Sequence, residues 1–319
     1  MAWSRDGSKL LVPDPMRGEV FVFGRDGSLE RRLRRPGSGD LEFIRPGPIR
    51  SYSEGLFLQD GDLRVLTLDG GGEPIGAADF GERLFPGKQE VRALFDWTSD
   101  GTWIYSFSDV LQADGSWRSG WYRFTAAGEP RLELLREVPI EGFERLFYTL
   151  GHPYATVNGR SAYLLVMDAQ PFLLEVGAAR QRRLQSFPTG FGKRPSIPRL
   201  RSVEEAPLVF AAVERAAMPA GLHAHDGELY VLTRRPGEGG TTVWELTGID
   251  PVTDRVVSRV RLPTAARHLT AAPGPEWWAF AEKGGMDSPG EQQVHGLLFV
   301  PADWIAGTSE MTTPPPGCE

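Results

Sequence analysis

Trp97-Thr98-Ser99-Asp100-Gly101-Thr102-Trp103-Ile104-Tyr105 is a polar corner followed by an apolar, β-branched and aromatic run, and it has relatives in the same chain. A looser copy opens the sequence, Trp3-Ser4-Arg5-Asp6-Gly7-Ser8-Lys9-Leu10-Leu11-Val12. A third lies late, His223-Ala224-His225-Asp226-Gly227-Glu228-Leu229-Tyr230-Val231-Leu232. In each, Asp caps its own turn and Gly supplies a positive φ. The run that follows has the composition of a buried strand, so each copy predicts a β-hairpin.

Working outward, corner glycines fall at Gly7, Gly55, Gly101, Gly159, Gly227 and Gly274, in steps of 48, 46, 58, 68 and 47 residues. Three steps share one period and the two longer ones contain insertions, which gives a repeat of roughly 45 residues, six times over. The first unit reads Lys9-Leu10-Leu11-Val12, then Glu19-Val20-Phe21-Val22-Phe23, then a turn at Asp26-Gly27 into Leu29-Glu30-Arg31-Arg32-Leu33. The third carries an insertion around Leu111–Gly120. A long irregular stretch from Pro188 to Pro207, with Gly190, Gly192, Pro195 and Pro198, reads as a loop crossing one face, the usual place for binding on a rigid scaffold.

Six such units without helical periodicity between them predict an all-β fold, a six-bladed β-propeller of four-stranded antiparallel blades over 1–300, its last blade incomplete. A linear solenoid is the alternative, and its repeats are usually shorter. Residues 301–319 read as a flexible tail. Residue 1 falls almost on the first inner strand, so either the sixth blade is short or the natural chain begins further upstream.

Composition agrees. The 38 Gly and 26 Pro among 319 residues penalise long helices and suit many short strands joined by tight turns. With 35 basic against 42 acidic residues the net charge is −7, which argues against nucleic acid as the main partner. The groups Arg31-Arg32 with Arg34-Arg35, and Arg180 with Arg182-Arg183, read as charges guarding exposed edge strands. No apolar run approaches the ~18 residues of a transmembrane helix. The opening Met1-Ala2-Trp3-Ser4-Arg5-Asp6 lacks the apolar core of a signal peptide. The single cysteine, Cys318, has no intrachain disulfide partner, so the redox compartment is left open. Gly70-Gly71-Gly72 and Gly237-Glu238-Gly239-Gly240 lack a following helix and read as hairpin tips, not phosphate loops.

Three sets of residues carry a family resemblance, one of them the end of the chain, Val260-Arg261-Leu262-Pro263, then Trp277-Trp278-Ala279, then Val294-His295-Gly296-Leu297-Leu298-Phe299-Val300. The corners Trp3–Gly7 and Trp97–Gly101 resemble the Trp-Ser-x-Asp-Gly repeat of TolB-type propellers. The join Pro36-Gly37-Ser38-Gly39-Asp40-Leu41-Glu42-Phe43, with Pro46, resembles the inter-blade sequence of NHL-type propellers. The likeness to this bacterial six-bladed superfamily covers nearly the whole chain and rests on structural motifs. It implies export to the periplasm or beyond, and a function that is either binding and scaffolding or, in a minority, hydrolysis or elimination.

Hydrolases of the family hold calcium in the central tunnel with Glu, Asn and Asp. This chain has one Asn, Asn158, in an Asn-Gly corner that favours type I′ geometry, and Asp226 is likewise at a corner. His152, His223, His225 and His268 lie near predicted inner strands of blades four to six, where imidazoles would bind zinc or a similar metal if they converged. Their distances to the next corner glycine are 7, 4, 2 and 6 residues, however, and equivalent positions would share one value. His295 fits neither scheme. Among nine tryptophans, Trp97 and Trp103 suit inter-blade packing, and Trp117, in the blade-three insertion, suits a surface platform for a sugar or peptide. The sequence expectation is a monomeric, non-catalytic binding or scaffold propeller for a protein or small ligand. A metal-dependent hydrolase or lyase at the tunnel mouth is the alternative. Candidate binding residues are His152, His223, His225, His268 and Trp117, with cofactor and metal undetermined.

Overall fold

The structure, a computed structural model, describes residues 1–15, 17–37, 39, 41–52, 55–61, 64–79, 91–125, 131–138, 154–167, 170–177, 180–188, 191, 216–266, 268–283 and 294–307. The loop read at 188–207 lies outside them except for Pro188 and Phe191, as do His152, Cys318 and residues 308–319.

The strands form six sheets, each an antiparallel meander pairing in chain order. The first holds β1 (Ala2–Trp3), β2 (Lys9–Asp14), β3 (Glu19–Gly24) and β4 (Leu29–Leu33), and the second holds β5 (Pro46–Tyr52), β6 (Gly55–Asp60), β7 (Arg64–Leu68) and β8 (Pro74–Asp79). The third has β9 (Val91–Ser99), β10 (Trp103–Leu111), β11 (Trp117–Thr125) and β12 (Leu132–Glu137). The fourth has β13 (Ala155–Asn158), β14 (Ser161–Val166), β15 (Phe172–Val176) and β16 (Gln181–Arg183). The fifth has β17 (Met218–His225), β18 (Glu228–Pro236), β19 (Thr242–Asp250) and β20 (Arg255–Arg261). The last has three strands, β21 (His268–Ala272), β22 (Trp277–Lys283) and β23 (Val294–Pro301), followed by a short helix, α1 (Ala302–Gly307). This is a six-bladed β-propeller whose last blade lacks a fourth strand among the described residues. Its chain divides into two compact units, residues 1–164 with 176–180 and residues 165–175 with 181–319.

All six corner glycines sit in or beside the hairpin between the first and second strands of a blade. The Asp-Gly corner itself is used more widely. Asp6, Asp26 and Asp114 each accept hydrogen bonds from the backbone N–H and the hydroxyl of the serine two residues on, yet they occupy the first, third and second hairpins of their blades. Short polar side chains that satisfy the turn's own backbone explain why one dipeptide serves all three places. Asn158 differs from expectation. It ends β13 and pairs with Ser161, leaving Gly159-Arg160 as the loop, so the left-handed residue is Gly159 at φ 62 and not Asn158. The type I′ turn occurs instead at Asp226 (φ 48) and Gly227 (φ 83).

In the first unit, Leu11, Val20, Val22, Leu56, Leu58, Leu66 and Leu68 form a core, closed by Phe43 from the inter-blade join. That join is pinned by the next blade. Asp60 accepts the N–H groups of Ile44 and Arg45 at 2.9 and 2.7 Å, and Arg64 donates to the Glu42 carbonyl at 2.8 Å. Trp97 is buried and meets Phe57 edge-on at 6.1 Å, a core role as expected. Trp103 is not core: it is half-buried, with the Arg123 guanidinium 4.6 Å above its ring. The stretch read as an insertion is a longer hairpin, β10 and β11 pairing without a break from Trp103↔Thr125 to Leu111↔Trp117.

Outer strands carry charge, and some of it interlocks neighbouring blades. Arg31 on β4 donates to Glu73 at 2.7 Å and to the Gly71 carbonyl in the β7–β8 hairpin. In the second unit Arg182 on β16 likewise donates to the Pro251 carbonyl of the β19–β20 hairpin at 2.6 Å, and Asp254 there accepts from the N–H groups of Gln185 and Ser186. The core of this unit gathers Tyr230, Trp244, Leu246, Val260, Trp278 and Phe280, and Ile305 of α1 is fully buried among them. Residues 302–307 are therefore part of the packed structure.

Candidate functional site

Two polar clusters lie on first strands of the blades. In the second unit, β17 and β21 are neighbours, and β22 sits beside β21. His223 and His225 are two residues apart on β17, so strand alternation sends both rings to one side. Each imidazole meets Trp278 of β22 nearly perpendicularly, with ring centroids 5.8 Å apart. Tyr230 closes on the same indole at 4.9 Å, and Phe280 stacks at 6.1 Å. Trp278 is fully buried and His223 nearly so. The Tyr230 hydroxyl donates to Glu228 at 2.7 Å. Burial pushes the His225 imidazole below its ordinary range, while Asp226 and Glu228 pull the other way. Burial, then the Glu228 carboxylate, pushes the Tyr230 hydroxyl up.

The structure thus brings two of the predicted histidines together around a tryptophan. His268 is the first residue of β21, four residues from the strand's corner end and so ~13 Å from it along the strand, whereas His225 is the last residue of β17. The unequal spacing to the corner glycines carried that information. His152 lies outside the described residues, and so does the side chain of His295. Among the described residues no three His, Cys, Asp or Glu side chains are grouped so as to hold a metal ion. Trp117, in the first unit, is half-buried at the start of β11, opposite Leu111.

The second cluster, in the first unit, was missed by sequence reasoning. Asp96 of β9 is buried and forms an ion pair with Arg50 of β5, itself only 13% exposed. Its other oxygen accepts the backbone N–H of Tyr154 at 2.7 Å, just before β13, and the Ala155 N–H also donates to it. Desolvation pushes the Asp96 carboxyl up, and Arg50 with the two N–H groups draws it back. One carboxylate thus ties together three consecutive blades. A charge at Asp96, directly before the Trp97 corner and within the apolar Ala93-Leu94-Phe95 context, is the signal that could have found it.

No family model matches the sequence. No curated protein matches it. Distant likeness to solved structures exists. A Bacteroides fragilis protein whose name gives it as exported is 11% identical, with 86% of this chain and 77% of that one covered and a TM-score of 0.46. A Bacteroides uniformis protein named for 6-phosphogluconolactonase is 13% identical, with 97% and 82% covered and a TM-score of 0.46. BamB from Moraxella catarrhalis is 11% identical, with 94% and 72% covered and a TM-score of 0.36. By its own sheet order the chain has the architecture of a six-bladed β-propeller.

Proposed function

We propose that the chain is a non-catalytic binding or scaffold propeller, acting as a monomer on a protein or small ligand. The observation that carries this reading is the use made of the polar groups on the first strands. Asp96 is consumed by Arg50 and two backbone N–H groups, and His223 and His225 are packed edge-on against Trp278. Catalytic acids, bases and metal ligands need lone pairs or protons turned towards a substrate; the Asp96 carboxylate is turned to protein groups, and the two imidazole rings are packed on an indole.

The competing reading is a metal-dependent hydrolase or lyase using His152, His223, His225 and His268. Metal content of the purified, untagged protein, measured by mass spectrometry, separates the two. The binding reading expects no stoichiometric metal and no turnover of lactones or phosphoesters when zinc, manganese or calcium is supplied. About one equivalent of tightly held metal per chain, with turnover that a chelator abolishes, sinks it.

A further inference from the structure

The hairpin at Asp226-Gly227 puts a partly buried imidazole within reach of two carboxylates while that imidazole is still packed on an indole. His225 keeps only 15% of its side-chain surface exposed, and its Nε2 is buried without a hydrogen-bond partner among the described residues. The ring meets Trp278 at 5.8 Å and 81°. The left-handed Asp226 folds its carboxylate back to 3.4 Å from the same Nε2, yet Asp226 itself stands 86% exposed in solvent. Glu228, opposite His225 in the hairpin register, holds the Tyr230 hydroxyl.

The groups facing this ring differ sharply by side. From β17 comes the second imidazole, His223, and from β18 come Glu228 and Tyr230. From β22 comes Trp278, which stacks on Phe280 within a core cluster that also holds Leu269 and Ala271 of β21. The packed side holds an indole and a second imidazole and no carboxylate among these groups, and the negative charge lies on the corner side. A neutral imidazole suits the packed side. An imidazolium carries two N–H donors and a charge, and in that setting its Nε2–H would face only the solvent-exposed Asp226 carboxylate, 3.4 Å away and not hydrogen-bonded to it, while the cation stayed packed on the indole.

We propose that the corner of the fifth blade is an acid-sensitive latch. With His225 neutral, its ring lies against Trp278 and the corner is closed. When His225 takes a proton from solvent, the ring leaves the indole for the carboxylates of Asp226 and Glu228, and the face of Trp278 it covered opens to water. The inference is independent of whether the propeller binds or catalyses, because it uses no ligand.

Tryptophan emission of the full chain, recorded from about pH 7.5 to about pH 5, tests it, this being the range in which an imidazole changes charge. Subtracting the Trp278→Phe spectra isolates Trp278. Its emission is expected to move to the red on acidification and to become more accessible to acrylamide, and His225→Gln is expected to lose both changes. Glu228→Gln should lower the midpoint, since it removes a charge that favours the imidazolium. The same acid transition in His225→Gln would overturn the latch, as would unchanged Trp278 emission in the wild type across a range where His225 titrates. Histidine Cε1–H and indole N–H resonances of the wild-type protein give the second measurement, which requires no variant to fold. A shared midpoint for His225 and Trp278 supports the latch, and separate midpoints overturn it.

Discussion

Asp96 shows how much one side chain can hold. Replacing it with Ala removes the partner of the largely buried Arg50 and the acceptor of two backbone N–H groups at once. Breaking a buried pair from one side leaves an uncompensated charge, so Asp96→Ala should cost about 3–5 kcal/mol in urea unfolding. Asp96→Asn, which keeps an acceptor oxygen, should cost less. A loss below ~1 kcal/mol for the alanine variant would mean the pair is open to water. His225 gives a pH-dependent counterpart. Its folded-state pKa lies below the ordinary value of 6.5 because burial disfavours the cation. Between that value and the lower folded one, the unfolded chain binds the proton and the native chain does not, so stability falls as pH falls through this window. Above 6.5 the contribution is intact, and below the folded pKa the loss stops growing. Urea midpoints measured from about pH 8 to about pH 5 should show this slope, and His225→Gln should flatten it.

At the scale of elements, the hairpins separate what a glycine does for φ from what it does for space. Gly72 (φ 88) and Gly115 (φ 81) both follow type I turns, with the glycine N–H bonded to the carbonyl three residues back, at Asp69 and Gln112. A Cβ at Gly115 would meet nothing within 4 Å, whereas at Gly72 it would come within 2.5 Å of Leu11 Cδ2, where the β7–β8 hairpin abuts the first blade. Gly115→Ala should therefore cost only the left-handed strain, about 1–2 kcal/mol. Gly72→Ala should cost that plus overpacking, a further ~1–3 kcal/mol. Equal losses in chemical denaturation would show that the second hairpin yields without displacing Leu11. These corners were legible because Asp-Gly writes its turn into two adjacent residues. Asn158-Gly159 was read one residue out of phase: the dipeptide allows either residue to take the left-handed place, and β13–β14 pairing, which is not local, decided for Gly159.

At the scale of the whole molecule, the period of corner glycines was enough to read six sheets, because every blade repeats its first hairpin even where loop lengths differ. Asp96 could be singled out by its apolar setting, but its pairing with Arg50 was not readable. It joins residues 46 apart on different blades, and nothing in either local pattern names the other. The helix after the last strand was hidden for another reason: Ala302–Gly307 is too short to show a helical period, and its role comes from one residue. Ile305 is fully buried against a cluster drawn from the fifth and sixth sheets, including Trp244, Val260, Leu262 and Trp278, and Ala302 N–H is bonded to the Glu276 carbonyl at 2.9 Å. In a blade with three strands among the described residues, α1 thus covers part of the core. Ile305→Ala should lose the transfer energy of the side chain and leave a cavity, about 2–5 kcal/mol together. Asp303→Ala, on the exposed side of the same helix, gives up only the exposed hydrogen bond from the Trp304 N–H and should cost no more than about 1 kcal/mol. Thermal and urea unfolding of the two variants checks the difference. If Ile305→Ala unfolds like the wild type, the helix is an ornament on a core already complete; if it loses the expected amount, α1 is the element that finishes the sixth blade.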